Sequence, residues 1–289
     1  MKLEEINMRD PFIFPHEGIY YLTGTRAVTC WGEADGFDGY RSRDLKEWEG
    51  PFEIFHRPEG FRADRNYWAP EIHAYRGSFY LFATFGYRTD PQEESTHKKG
   101  THILRADHPL GPYSLWSEGS VTPEAWNCLD GTFYSAPDGT PYMVFSHEWE
   151  DLGDGQICAV RLSADLRRAE GLPFTLFSAS QAQPWVKSIT HRRWDGPVYV
   201  TDGPFLYRKS FSELLLLWAT FGAGGYAEGL ARSDNGEITG HWTVDETPLF
   251  DRDGGHCMVF RTFEGDLQLV LHQPNETPKE HPVLIPIAL

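Results

Sequence analysis

The clearest sign of the fold is the segment Thr201-Asp202-Gly203-Pro204-Phe205-Leu206-Tyr207, together with the Leu214-Leu215-Leu216-Leu217-Trp218 that follows it. An acidic residue beside Gly-Pro begins a short apolar strand, a polar turn follows, and a second apolar strand returns, which is the pattern of a β-hairpin. The same layout occurs four more times along the chain. The copies span residues 9–22, 69–82, 129–145 and 255–271.

The five hairpins can be aligned on one polar residue at the start of each first strand. These anchors are Asp10, Glu71, Asp130, Asp202 and His256, spaced 61, 59, 72 and 54 residues apart. A five-fold repeat of this period, with several short strands per unit and almost no helical periodicity, is typical of propeller blades. The sequence therefore predicts an all-β, five-bladed β-propeller that takes up residues 1–289 as a single domain.

Charge and cysteine content exclude several classes of protein. The 289 residues carry 42 acidic and 26 basic side chains, a formal net charge of −16. Such a surface argues against nucleic acid or an anionic membrane as partner and favours a neutral or cationic ligand. The four cysteines, Cys30, Cys128, Cys158 and Cys257, have no metal-ligand spacing, so we expect buried free thiols.

The sequence shows neither a signal segment nor a membrane span, which bears on where the protein is found in the cell. The N-terminus shows no apolar signal segment, and the most apolar run, residues 214–219, is far shorter than a bilayer span. We expect a cytoplasmic protein, although a secreted protein whose leader has been removed would give the same sequence.

The anchors indicate a common site. The innermost strand of each blade lines the central channel, so residues at the start of these strands should form a ring at one end of it. Carboxyl groups brought together in this way repel one another, and their pKa values are pushed apart, which suits acid and base catalysis. The alternative is that each anchor is only a turn residue, since Asp beside Pro or Gly commonly bonds to nearby backbone amides.

Aromatic residues stand close to the anchors in sequence. Trp68 lies three residues before Glu71, and Trp149 follows His147 and Glu148. Aromatic faces beside carboxylates are a common surface for sugar rings, although most aromatic residues must belong to the core. We therefore expect Trp68, Trp149, Glu71 and His147 to contact a carbohydrate. The polar loop 90–100, with Glu93, Glu94, His97, Lys98 and Lys99, should lie on the same face as the site; we expect it to be mainly solvated, with a substrate rim as the alternative.

Four motifs in this order resemble glycoside hydrolase family 43. They are Arg9-Asp10-Pro11, Tyr67-Trp68-Ala69-Pro70-Glu71, Leu129-Asp130-Gly131-Thr132 and Thr201-Asp202-Gly203-Pro204. The resemblance covers all five units and implies a five-bladed propeller. It also implies an inverting glycosidase that releases a terminal pentose, most plausibly an α-L-arabinofuranosyl residue, from plant-type oligo- or polysaccharides. A β-xylosidase or galactosidase of the same family, and a sugar-binding propeller with little hydrolysis, are the alternatives.

The resemblance implies three catalytic carboxyl groups. Asp10 would be the general base, Asp130 would tune and orient the acid, and Asp202 would be the general acid. The family usually has glutamate in the fourth motif, and aspartate is shorter by one carbon–carbon bond, about 1.5 Å. Either the backbone brings Asp202 closer, or another acid replaces it, or hydrolysis is weak. Glu148 is the alternative acid; the competing interpretation is that Glu148 only caps its loop.

No cofactor is expected for the reaction itself. His256 holds the anchor position of the fifth blade, and in parts of the family a histidine there helps to hold calcium or another ion in the channel. The resemblance therefore implies a metal site at His256, whereas a lone histidine is more often a hydrogen-bonded core residue.

Overall fold

The computed structural model describes residues 1–90, 97–191 and 194–289 and consists of β-sheets with very little helix. The first sheet is formed by β1 (Met8–His16), β2 (Ile19–Arg26), β3 (Gly36–Ser42) and β4 (Glu49–His56). The second is formed by β5 (Arg65–Tyr75), β6 (Ser78–Arg88), β7 (His97–Ala106) and β8 (Ser114–Leu115), and the third by β9 (Cys128–Ser135), β10 (Pro141–His147), β11 (Gln156–Leu162) and β12 (Ala169–Ser178).

The second half of the chain repeats this arrangement. A small pair, β13 (Ile189–Thr190) and β14 (Pro197–Val198), precedes the fourth sheet of β15 (Asp202–Arg208), β16 (Leu214–Gly222), β17 (Gly225–Ser233), β18 (Trp242–Val244) and β19 (Phe250–Asp251). The fifth sheet is formed by β20 (Gly255–Arg261), β21 (Leu267–Gln273) and β22 (His281–Pro286). The helical segments are α1 (Trp149–Leu152) and the 3-10 turns Leu3–Glu5, Ala27–Thr29 and Ala179–Ala182.

The five sheets are the blades of a closed propeller. The first strand of each sheet contacts the first strand of the next, from β1 through β5, β9, β15 and β20 back to β1. At the point of closure the Met8 amide donates a hydrogen bond of 3.0 Å to the carbonyl of Glu280, just before β22. The predicted five-bladed β-propeller is therefore confirmed.

Apolar side chains pack between neighbouring blades. Each pair of adjacent blades has its own cluster, represented by Phe37 with Phe85, Phe82 with Phe145, Val144 with Trp218, Leu217 with Leu271, and Ile13 with Phe260. Alternating side chains of a strand point to its two faces, so each sheet can pack on both sides. These interfaces hold the inner strands at fixed positions around the channel.

Each inner strand has the same irregularity near its start. Its pairing with the second strand shifts register, and a residue there has a positive φ: Asp10 (53°), Ala69 (44°), Asp130 (57°), Gly203 (46°) or His256 (55°). In β5 a second residue, Asn66 (51°), also has a positive φ, and the register shifts twice. A bulge of this kind re-aims the neighbouring side chains and is common beside functional sites. The five positions form one structural ring.

This ring corrects part of the sequence alignment. Asp10, Asp130 and His256 hold equivalent positions as predicted, but Glu71 lies two residues after its blade's ring position and Asp202 lies one residue before it. Glu71 and Asp202 are therefore not equivalent to Asp10.

Two further findings concern the cysteines and the search for a membrane-spanning helix. All four cysteines are free and buried, which confirms that prediction. Within residues 1–90, 97–191 and 194–289 no helix has the length and apolar character needed to cross a membrane.

Candidate active site

A cavity of about 1290 Å³ opens where the inner strands begin. The residue just before the ring position lines it in four blades: Arg9, Trp68, Leu129 and Asp202. In the fifth blade that residue is Gly255, which has no side chain to offer. The bulge thus places this preceding residue at the cavity in four blades, whereas the ring residues Asp10, Asp130 and His256 are not among the described residues that line it. Further lining residues include Trp31, Arg65, Arg88, His97, Lys99, Glu148, Trp149, Glu150, His191, Tyr226 and Thr277.

A compact acidic cluster lies next to the cavity, formed by Asp10, Asp130 and His256. Nδ1 of His256 is 3.3 Å from Oδ1 of Asp10 and 3.6 Å from Oδ2 of Asp130. The three residues are almost buried, with 8%, 5% and 6% of their surfaces exposed. The structure therefore brings together the two predicted catalytic aspartates and the predicted histidine.

Asp10 is held in its ionised form. Burial acts to raise its pKa, but His256, Arg9, His272 and the hydroxyl of Thr25 together keep the pKa of Asp10 below its ordinary value. The Thr25 hydroxyl donates to Oδ2 of Asp10. A carboxylate that stays ionised is suited to accept a proton from water.

The pKa values of Asp130 and His256 are raised, whereas that of Asp10 is lowered. Burial is the main cause that raises the pKa of Asp130 to about 7; His256 acts to lower this pKa, and Asp202 and Asp10 act to raise it. For His256, burial acts to lower the pKa, but the surrounding carboxylates, Asp10 first, raise it above the ordinary value. A protonated His256 between two carboxyl groups offsets the repulsion expected of the ring.

Asp202 connects this cluster to the cavity. The amide of Gly203, the next residue, donates a 3.0 Å hydrogen bond to Oδ2 of Asp130, and the Tyr226 hydroxyl donates one of 3.0 Å to Oδ2 of Asp202. Burial raises the pKa of Asp202, against the lowering effect of His256 and of the Tyr226 hydrogen bond. Asp130 can therefore orient Asp202 through the backbone, as expected of a residue that positions the acid.

A second charged group lies on the cavity wall around Lys99. Its Nζ is in close contact with Oε2 of Glu148 and donates a 3.2 Å hydrogen bond to Oε2 of Glu150. The ammonium also lies 5.4 Å from the centre of the Trp68 ring. Loop 90–100 was expected to be mainly solvated, but Lys99 is only 5% exposed and belongs to the cavity. Glu93 and Glu94 lie outside the described residues.

The cavity has an aromatic wall. The rings of Trp31 and Trp68 meet edge to face with centroids 5.5 Å apart, and the Trp68 indole N–H donates to the carbonyl of Cys30 at 2.7 Å. Trp31 is 67% exposed although its indole N–H donates to the Thr277 hydroxyl at 3.0 Å. Trp149 lines the wall beside Glu148. Such a surface can stack against the C–H faces of sugar rings.

Two predicted substrate contacts lie away from this wall. Glu71 accepts hydrogen bonds from the Thr132 hydroxyl at 2.6 Å and pairs with His73 at 2.9 Å. His147 stacks on Trp126 with ring centroids 4.0 Å apart and pairs with Asp151 at 3.1 Å. Neither Glu71 nor His147 is among the described residues that line the cavity. A sugar contact for either remains a prediction.

Sequence reasoning missed several charged residues. Arg9 lines the cavity while its Nη1 lies 2.6 Å from Oε1 of the fully buried Glu280. Glu228 is fully buried, and its Oε1 accepts a 2.7 Å hydrogen bond from the amide of Cys257, directly after His256. Burial raises the pKa of Glu228 to about 8. For Glu228 the sequence signal was a charged residue among the small and apolar residues of β17.

Metal binding was predicted at His256. The described residues contain no group of three or more His, Cys, Asp or Glu side chains arranged to hold a metal ion. An ion beside His256 would therefore need water for most of its ligands, and a role for one remains a prediction.

Comparisons with known proteins show that the chain is similar to one family of glycosyl hydrolases. The family model Glycosyl hydrolases family 43 matches residues 5–287. An endo-arabinase from Bacteroides thetaiotaomicron VPI-5482 is 37% identical with a TM-score of 0.88, over 100% of this chain and 97% of that one. An extracellular exo-α-(1→5)-L-arabinofuranosidase from Cellvibrio japonicus (strain Ueda107) is 21% identical over 93% of this chain and 79% of its own length. An α-L-arabinofuranosidase from Lactobacillus brevis, at 18% identity and a TM-score of 0.77, covers 98% and 91% and shares the fold.

Proposed function

The chain belongs to family 43 of the glycosyl hydrolases, an inverting family, and on that premise we propose that it hydrolyses α-L-arabinofuranosyl linkages of plant arabinan. The observation that carries the proposal is the joint placement of carboxyl groups and indole rings on one cavity. Asp202 and Glu148 line it with Trp68, and the ionised Asp10 lies in the cluster next to it. The names of the endo-arabinase and of the exo-α-(1→5)-L-arabinofuranosidase support this choice of sugar.

The reaction needs one base and one acid on opposite faces of the sugar. Asp10, as carboxylate, takes a proton from a water molecule that attacks the anomeric carbon. A protonated carboxyl group on the cavity wall gives its proton to the leaving oxygen, and the position of Asp202 matches the family's acid. Asp130 orients Asp202 through the Gly203 amide. Family 43 enzymes need no cofactor for this chemistry.

Release of a terminal arabinose was predicted from the sequence, and cleavage within the chain is a second candidate. The second is favoured by the cavity volume of about 1290 Å³, since pockets of roughly 300–1,000 Å³ already enclose ligands larger than one pentose. It is also the activity named for the relative with 37% identity. Chromatography of early products from linear arabino-oligosaccharides separates the two, because terminal release gives arabinose and internal cleavage gives shorter oligosaccharides.

A panel of glycosides tests the proposal itself. We expect turnover of arabino-oligosaccharides and of an aryl α-L-arabinofuranoside, with little on an aryl β-xyloside or β-galactoside. Asp10→Asn should lose this turnover because asparagine cannot accept the proton. Equal rates for wild type and Asp10→Asn across the panel would refute the proposal. Sugar binding by calorimetry without any turnover would favour the sugar-binding alternative.

A calcium ion at His256 is tested separately. Dialysis against a chelator followed by an assay with and without added calcium shows whether activity depends on an ion. A loss restored by calcium would support the predicted site.

A further inference from the structure

We propose that Glu148, held by Lys99 at the end of β10, is the carboxylic acid that protonates the leaving oxygen, in place of Asp202. This inference rests on the proposed function and identifies one of its two catalytic groups. In the step, the bond from the anomeric carbon to the leaving oxygen breaks and that oxygen takes the proton of Glu148. Water forms the new bond to the anomeric carbon and loses a proton to Asp10. Glu148 ends as a carboxylate and Asp10 as a carboxylic acid, and exchange with solvent restores both.

The first argument is the reach of Asp202. Its strand has the same bulge and the same left-handed ring residue as the other blades, so its backbone starts from the same place as those of Arg9 and Trp68. Those two residues have long side chains, whereas Asp202 has a single methylene. Its Oδ2 already accepts a hydrogen bond from Tyr226 at 3.0 Å. The start of this strand thus has the same local backbone conformation as in the other blades, and it carries a side chain about 1.5 Å shorter than glutamate.

The second argument is the placement of Glu148. It links β10 to α1, its amide donates a 2.9 Å hydrogen bond to the carbonyl of Asn127, and only 6% of its surface is exposed. Glu148 lines the cavity together with Trp149, its neighbour, and Trp68 on the aromatic wall. A sugar stacked on that wall therefore has a carboxyl group beside it that has the length of glutamate and a fixed backbone.

The third argument is the charge balance of the second group. One ammonium, Lys99, faces the carboxyl groups of both Glu148 and Glu150, and His97 lies 4.0 Å from Glu150. Glu150 is the less buried of the two carboxyl groups, with 18% of its side chain exposed against 8% for Glu148. Lys99 lowers the pKa of Glu150 despite its burial, so Glu150 neutralises the ammonium.

The remaining carboxyl group then holds a proton. Burial raises the pKa of Glu148 to about 8, and this increase exceeds the lowering effect of Lys99. Glu148 is therefore neutral near pH 7, as a general acid must be. When it has given up the proton, Lys99 lies beside the new carboxylate and stabilises it.

Leaving-group dependence tests the assignment. The substrates are arabinotriose, whose leaving oxygen needs a proton, and 2,5-dinitrophenyl α-L-arabinofuranoside, whose leaving group does not. For Glu148→Gln we expect kcat/KM on arabinotriose to fall by about 10²–10⁴-fold and on the dinitrophenyl substrate by less than about tenfold. For Asp202→Asn we expect equal losses on both substrates. Glu124→Gln makes the same chemical change on the surface, away from the cavity lining, and serves as the matched control.

The outcomes separate the inference from the proposed function. Equal losses on both substrates in Glu148→Gln, or a loss confined to arabinotriose in Asp202→Asn, would overturn the inference. If Glu148→Gln does not fold, the Asp202→Asn comparison decides: equal losses support Glu148 and a selective loss overturns it. If the wild-type protein hydrolyses neither substrate, the proposed function itself fails.

Discussion

Replacing Glu280 by glutamine tests the contact that closes the ring of blades beside the cavity. The Glu280 side chain is fully buried, its Oε1 lies 2.6 Å from Nη1 of Arg9, and the Arg9 side chain is only 12% exposed. Glutamine keeps the size of the side chain and removes the charge that balances Arg9. Removing one partner of a buried ion pair costs about 3–5 kcal/mol, and we expect the lower value of about 3 kcal/mol. The reason is that Asp10 lies close enough to balance part of the Arg9 charge.

Thermal unfolding measures this loss. With an unfolding entropy of about 2.1 cal/mol/K per residue, a chain of this length has roughly 0.6 kcal/mol/K, so about 3 kcal/mol lowers Tm by about 5 °C. Glu276→Gln is the matched control, because Glu276 pairs with Lys279 on the surface with side chains 61% and 63% exposed. Exposed pairs contribute little, so the control should shift Tm by less than about 1 °C. If Glu280→Gln also stays within 1 °C of wild type, the reasoning about this buried pair is wrong.

Three further predictions concern the cavity and its supports. Trp31→Ala should lower kcat/KM about three- to tenfold on arabino-oligosaccharides and less on an aryl arabinofuranoside, because the exposed Trp31 ring stacks against additional sugar units. Leu172→Ala, at an 89% exposed position, is the control and should leave kcat/KM on both substrates unchanged. The alkaline limb of kcat/KM should fall near pH 8, where Glu148 loses its proton, and a limb unaltered in Glu148→Gln would contradict this. In the folded protein the pKa of Glu228 is about 8, above the ordinary value of 4.5, so the protonated side chain stabilises the fold at low pH and this contribution is lost as the pH rises from about 4.5 to about 8. Glu228→Gln should therefore show a smaller decrease of Tm than wild type between pH 5 and pH 8.5. An equal decrease would contradict the raised pKa of Glu228.

The blade pattern could be predicted because it is local. Each hairpin has its own alternation of apolar residues and its own turn, and five copies at similar spacing leave few architectures open. The convergence of Asp10, Asp130 and His256 follows from that repeat, since equivalent positions of a closed ring must meet.

The exact register at the start of each inner strand could not be predicted. The bulge adds a residue whose backbone is left-handed, so a shift of one or two positions changes which side chain enters the cavity. Asp202 and Glu71 were aligned by chemical type, whereas the backbone aligns Gly203 and Ala69 with Asp10.

The second charged group was missed because its members are distant in sequence and unremarkable on their own. Lys99 stands in a polar stretch that usually indicates solvent, and only the fold places it against Glu148, about fifty residues further along. Arg9 and Glu280 are separated by 271 residues and meet only when the ring closes. Pairs of this kind depend on tertiary structure, which no local pattern in the sequence specifies.

The stereochemistry of the released sugar shows whether Asp10 acts as the base of an inverting hydrolysis. Proton NMR can follow the anomeric signals during the first minutes of arabinotriose hydrolysis, before the product equilibrates in solution. An inverting enzyme with Asp10 as base should release the β-anomer first from the α-linked substrate, and Asp10→Asn should release none. Initial release of the α-anomer, or unchanged hydrolysis by Asp10→Asn, would contradict the account.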